Sequence, residues 1–161
     1  MARNLDINDL DNVFDNAIDN IKQLFELYEK DELDTRFDKI YIEDIANPVP
    51  NSIAIDIDGH SVDLRSWIGK TRRNFTIGIN VNIWYFHEEL NANTRKREII
   101  NMMWKINQMF MKHTSVNGFC DELGCTISGS EYIARKYGSK IMACGLIRIV
   151  LKRLHSVNSL D

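Results

Sequence analysis

The stretch Phe75–Lys112, FTIGINVNIWYFHEELNANTRKREIINMMWKINQMFMK, decides the fold. Phe75, Ile77, Ile79, Val81, Ile83 and Tyr85 alternate with Thr76, Gly78, Asn80 and Asn82. Such period-two alternation predicts a strand with one buried face and one face open to water or to a partner. Trp84 and Phe86 interrupt the polar face, so the end of the strand is expected to be covered on both sides. A polar connection, His87 to Asn93, comes next. Ile99, Met103, Ile106 and Phe110 then recur at spacings of four, three and four, one face of a long helix, flanked by Ile100, Trp104 and Asn107. A strand laid under its own helix predicts an α+β fold in two layers: a mostly antiparallel sheet packed against one long helix.

Upstream, Ile7, Leu10, Phe14, Ala17, Ile18, Ile21, Leu24, Phe25 and Tyr28 predict a further, N-terminal helix over about residues 5–30, amphipathic and with a narrow apolar stripe. Asp6, Asp9, Asp11, Asp15 and Asp19 crowd its first half, where the helix dipole favours anions. Lys39–Glu43 reads as a short strand. Pro48 and Pro50 exclude helix or central strand for the segment that holds them. Ile53, Ile55 and Ile57 form a strand that turns at Asp58-Gly59 into a second arm, His60–Leu64. Arg65–Asn74 is expected to be a basic loop, with Arg65, Lys70, Arg72 and Arg73 against no acid. Downstream of the long helix, Val116–Gly129 is rich in turn residues. A short strand follows from Cys125 to Ser130 or slightly beyond, and then a turn at Tyr137-Gly138-Ser139. Ile141–Leu151 predicts a long final strand, covered on both faces at its start and on one at its end, and a natural antiparallel partner for Phe75–Phe86. His155–Asp161 is expected to fray.

The 161 residues fit one domain, 1–161, with a β/α core over about residues 39–154. No apolar run approaches the ~20 residues needed to cross a bilayer, and Met1–Asp6 lacks the apolar stretch of a signal peptide. Cys120, Cys125 and Cys144 are odd in number and without a framework spacing, so reduced thiols in a cytoplasmic setting are the simplest reading. The net charge is only −3, but it is split. Residues 1–64 hold 16 acids and 5 bases, and residues 65–161 hold 7 acids and 15 bases. Either the surface is merely uneven and solvated, or the molecule has an acidic and a basic side able to dock head to tail on copies of itself. Arg95, Lys96 and Arg97 are expected in the first turn of the long helix, where the dipole disfavours cations. They are either solvated or reach a negative surface.

Each enzymatic motif fails at a definite position. Gly69-Lys70-Thr71 lacks the earlier glycine of a phosphate-binding loop, Leu64 standing there, and a strand rather than a helix follows. His87-Glu88 lacks the second histidine of a zinc-protease helix, Asn91 standing there. His113, Cys120 and Cys125 match no common zinc spacing and lack a fourth ligand. No serine sits in a nucleophile elbow. Met102, Met103, Met109 and Met111 with Trp104 are expected to fill the core. No catalytic, cofactor-binding or metal-ligating residue is therefore expected, and no enzyme.

The order of elements resembles the tail terminator (tail completion) family of long-tailed bacteriophages, the lambda-type and T-five-like siphophages. The resemblance is carried by the Pro48–Ile57 approach to the hairpin, the Arg72-Arg73-Asn74-Phe75-Thr76-Ile77 start of the long strand, and the polar break before Arg95–Lys112. Val116-Asn117-Gly118-Phe119 and the final strand Ile141–Leu151 complete it. Val116-Asn117-Gly118 resembles a leucine–asparagine–glycine stretch that often follows the helix in that family. The resemblance implies a virion protein at the head–tail junction, assembled in the host cytoplasm. It implies a homohexameric ring on the head-proximal end of the tail tube that stops tube polymerisation. Its partners would be itself, the tail tube protein and the head-completion or connector protein, with no membrane and no cofactor. DNA would pass through the lumen without specific binding, since phosphate contacts would hinder passage. Arg65, Lys70, Arg72, Arg73, Arg95, Lys96 and Arg97 are the candidate interface residues. A head–tail joining (neck) protein of related fold is the neighbouring alternative. A nucleic-acid-binding module using the same basic residues is another, weakened by the lack of interleaved aromatics. A small enzyme without a recognisable motif is the third.

Overall fold

The computed structural model describes residues 3–4, 10–43, 48–68, 72–87, 92–120, 124–137 and 140–158. The fold is α+β, with one mixed sheet and two helices. In chain order the elements are β1 (Arg3–Asn4), α1 (Leu10–Tyr28), β2 (Lys39–Ile42), β3 (Ser52–Ile68), β4 (Arg72–His87), α2 (Ala92–Lys112), β5 (Cys125–Tyr137) and β6 (Lys140–Asn158). The sheet runs β2–β3–β4–β6, and the outer edge of β6 is shared between two strands. β5 pairs with its Lys140–Leu151 part and β1 with His155–Ser156.

β4 is the strand expected from the alternation, and β6 is its antiparallel partner, from Phe75↔His155 to His87↔Ala143. Ile77, Ile79, Val81, Ile83 and Tyr85 are buried in one core with Ile147, Ile149 and Leu151 of β6. Asn80 on the opposite face is exposed. At the end of the strand Phe86 is buried in a second, small cluster with Ala54, Met142 and Cys144, against which Trp84 packs. Both faces are thus covered there, as Trp84 and Phe86 require.

Both helices contribute to the first core: Ala17, Ile21, Leu24 and Phe25 from α1, and Ile99, Met103, Ile106, Met109 and Phe110 from α2. The N-terminal helix is therefore as much a part of the core as the long one. Their contact is aromatic, with Phe25 and Phe110 edge to face at 5.9 Å. Phe25 also meets Phe37 at 5.9 Å, and Phe37 meets Tyr85 of the sheet. At the far ends of the helices Tyr28 stacks on His113 at 3.9 Å, and His113 Nε2 donates to Glu32 Oε1 at 2.7 Å.

Several expectations need correction. Asp58-Gly59 is not a turn. β3 runs straight through it, and the register shifts between Ile57 and Gly59, leaving Asp58 as the extra residue of a β-bulge. The dipeptide suits either structure, because both need a residue that bends the backbone without a side-chain penalty. Within the expected loop Arg65–Asn74, the described residues 65–68 and 72–74 are strand, and residues 69–71 lie outside the described residues. The two strand segments are the paired ends of β3 and β4, with Ile68 opposite Arg72, and Arg65 is itself the extra residue of a second bulge between Leu64 and Ser66. Lys70 lies outside the described residues. The strand after the Gly-rich turn is long, reaching Tyr137, since β6 offers an edge long enough to pair its whole length; Tyr137 pairs with Lys140. β6 does not fray at His155, because Arg72–Phe75 hold it through Asn158 on one side and β1 pairs on the other. The sheet is mixed: β1–β6 and β2–β3 are parallel. The expected first turns of the N-terminal helix, residues 5–9, and the tail 159–161 lie outside the described residues, as does most of the His87–Asn93 connection.

After α2 the backbone turns through three successive left-handed residues, Val116, Asn117 and Gly118, with φ of 47°, 55° and 82°. Glycine and asparagine tolerate that region; valine does not, and Val116 is held there by complete burial. Asn117 Nδ2 donates to Gln23 Oε1 at 2.6 Å and Asn20 Oδ1 at 3.2 Å, tying the turn to α1.

Candidate interaction surface

Six of the seven basic residues, all but Lys70, are among the described residues, and they divide into two groups. Arg65, Arg72 and Arg73 lie at the end of the sheet where β3 passes to β4. Arg95, Lys96 and Arg97 lie near the start of α2, just beyond the other end of β4, where Glu98 Oε2 accepts from His87 Nε2 at 2.7 Å. A strand rises about 3.3 Å per residue, so the length of β4 sets the groups roughly 50 Å apart. No single basic patch unites them, and a short duplex contact cannot engage both.

The second group is also less free than its sequence suggests. The helix begins at Ala92, so Arg95 closes the first turn and Lys96 and Arg97 belong to the second. Arg95 is half-buried, and its buried Nε has no hydrogen-bond partner among the described residues. The Lys96 ammonium sits 5.8 Å from the Tyr132 ring centroid, over β5. Arg97 is exposed and lines a shallow hollow with Lys96, Ile100 and Asn101.

The remaining exposed face of α2 is where the composition misled. Met103 and Met109 fill the core as expected, but Met111 and Trp104 are 56% and 58% exposed, with Ile100 at 46%. Residues 100, 104 and 111 lie on one stripe, offset from the buried face. The signal was present in the sequence: Trp104 falls one position off the Ile99–Met103–Ile106–Phe110 stripe. Beside this stripe Asn107 Nδ2 donates to Ser130 Oγ of β5 at 3.0 Å, which fixes this flank of the helix against the sheet edge.

The face of the sheet that carries Trp84 has its own polar pairs. Arg148 meets Glu131 at 2.6 Å, and the Arg135 guanidinium lies 4.6 Å from the Trp84 ring centroid. Among the described residues no group of His, Cys, Asp and Glu is placed to hold a metal. None of the described helices is long and apolar enough to cross a membrane. Neither a protein-family model nor a curated protein matches the chain.

Two weakly acidic side chains, Tyr85 in the core and the half-buried Cys125, shape the response to alkali. Burial pushes the Cys125 thiol up to about 12, with Cys120 adding to the rise. Burial, and then the nearby Glu98 carboxylate, push the Tyr85 hydroxyl up to about 12. A folded-state value raised above the unfolded one favours folding while the group stays protonated. That contribution is full below the ordinary value and is lost as pH rises through the folded value. The denaturation midpoint is therefore expected to hold to about pH 9 and to fall between about pH 9 and 12. Cys125→Ala should flatten the fall, and an undiminished slope in that variant would refute the assignment. For the same reason native Cys125 should alkylate at about pH 8 at least a hundredfold more slowly than in denaturant, since the thiolate is the nucleophile.

Proposed function

We propose that this chain is a virion assembly protein of the tail-terminator kind. Its subunits close into a ring, six-membered as the resemblance implies, that caps the head-proximal end of a tail tube, stops its growth and offers a surface to the head connector. In this reading each subunit is two-layered, with both helices on one face of the sheet. The observation that carries it is a pair of sheet edges left open by the described strands. β2 covers β3 only over Ser52–Ile55, so no described strand pairs the outer edge of β3 from Ile57 to Ile68. On the other side β5 pairs, among the described strands, with β6 alone. Unpaired edges are templates for another chain, and a subunit open on two unlike sides builds head-to-tail contacts, which close into a ring where the rotation between neighbours allows. The separation of the two basic groups speaks against a dedicated nucleic-acid site.

Native mass across a concentration series, with electron micrographs of the same samples, tests the reading. Closed rings of one subunit number are the expected result. A monomer at every concentration that instead bound duplex DNA, with an affinity falling steeply in salt, would replace it with the nucleic-acid reading.

A further inference from the structure

The ring reading leaves open which surfaces meet, and the two helices supply an answer that rests on it. We propose that the stripe Ile100, Trp104 and Met111, edged by Arg97, docks on the acidic outer face of α1, around Asp15 and Asp19, of a second copy of this chain. The stripe is the largest group of exposed apolar side chains on one described element, and contiguous apolar surface with a polar rim marks an interaction site. Within the chain its neighbours are already engaged: Asn107 with Ser130, and Lys96 with Tyr132.

Charge selects the occupant. α2 carries five bases and one acid, and that acid, Glu98, is held by His87. α1 carries four acids and one base, and that base, Lys22, lies 4.0 Å from Glu26. The unengaged charges are therefore positive on α2 and negative on α1, and Asp15 and Asp19 are exposed. Pairing the stripe with its own copy would bring two net-basic helices together, and like charges at a contact disfavour it. Pairing it with α1 brings opposite signs together. The geometry agrees, because α1 packs over β3 whereas α2 packs over β5 and β6. The two surfaces lie toward opposite edges of the sheet, so the contact is heterologous and propagates from copy to copy.

The test is the self-association of the full chain by sedimentation, for the wild type and for variants at exposed positions, with circular dichroism to verify folding. Trp104→Ala is expected to weaken association about thirtyfold or more, the effect of losing a central aromatic anchor. Arg97→Glu and the pair Asp15→Lys/Asp19→Lys should each weaken it, and all three changes together should restore it. If the wild type assembles and Trp104→Ala assembles equally well, or the charge exchange fails to restore, this surface is wrong while self-assembly stands. If the wild type remains monomeric throughout, self-assembly of the free protein fails, and this contact fails with it.

Discussion

Phe25→Ala is expected to cost about 3–5 kcal/mol, the range for truncating a buried aromatic when the surroundings collapse only in part. Phe25 is fully buried, and its ring stands 5.9 Å from both Phe37 and Phe110. Phe37 continues to Tyr85 at 6.1 Å. One side chain therefore joins α1, the loop before β2, α2 and, through Phe37, the central strand. Edge-to-face ring pairs add about 0.5–1.5 kcal/mol each beyond area burial, and this truncation removes two. Natural domains are stable by only about 5–15 kcal/mol, so the variant should lose a large part of its margin. For a chain of this size about 2–4 °C of melting temperature goes with each kcal/mol, which predicts a fall of roughly 10–15 °C. Calorimetry or thermal circular dichroism reads it directly. A fall under about 3 °C would mean that α1 is not held through this cluster.

The second large effect is expected from adding atoms. Gly145 of β6 lies where α2 presses on the sheet. A Cβ there would stand 2.7 Å from Met103 Cγ, 2.8 Å from its Sδ and 3.2 Å from Ile99 Cγ2. No backbone strain enters, so the cost is contact alone. Met103 Cγ is close to its own backbone and cannot swing clear as a side-chain tip would. Gly145→Ala is therefore expected to destabilise by about 1–3 kcal/mol, and Gly145→Val by more, as overpacking does. Met103→Ala by itself should cost about 2–5 kcal/mol through the space it leaves. The double variant Gly145→Ala/Met103→Ala should be more stable than the sum of the two single effects predicts, because each change relieves the other. Strict additivity in denaturant titrations would show that the helix does not bear on the strand at this point.

Both predictions mark where the amino-acid pattern was legible and where it was not. Alternation from Phe75 to Tyr85 and the four-three-four spacing from Ile99 to Phe110 are local properties, and local properties select helix or strand wherever the chain lies. The same holds for Ile141–Leu151, for the apolar stripe of α1, and for β2. The antiparallel pairing of β4 with β6 was also foreseeable, since two long half-buried strands of matching pattern have few other ways to bury the same face. For the candidate basic residues the sequence carries no record of their grouping in space, which places Arg65, Arg72 and Arg73 at one end of β4 and Arg95, Lys96 and Arg97 beyond the other.

What remained hidden depends on partners distant in sequence. Asp58-Gly59 satisfies a turn and a bulge equally, and only the length of β4 beside it decides for the bulge. Arg65, Arg72 and Arg73 looked like a loop because charged residues are usual in loops; the register of the hairpin places them in strands. Whether Trp104 points inward or outward turns on which side of α2 meets β5 and β6, and a residue one position off the stripe can go either way. The closeness of Gly145 to Met103, and the distance between the two basic groups, follow from packing across the sheet. Periodicity is written within a few residues of chain, whereas register, edge and contact are set by elements that meet only after folding.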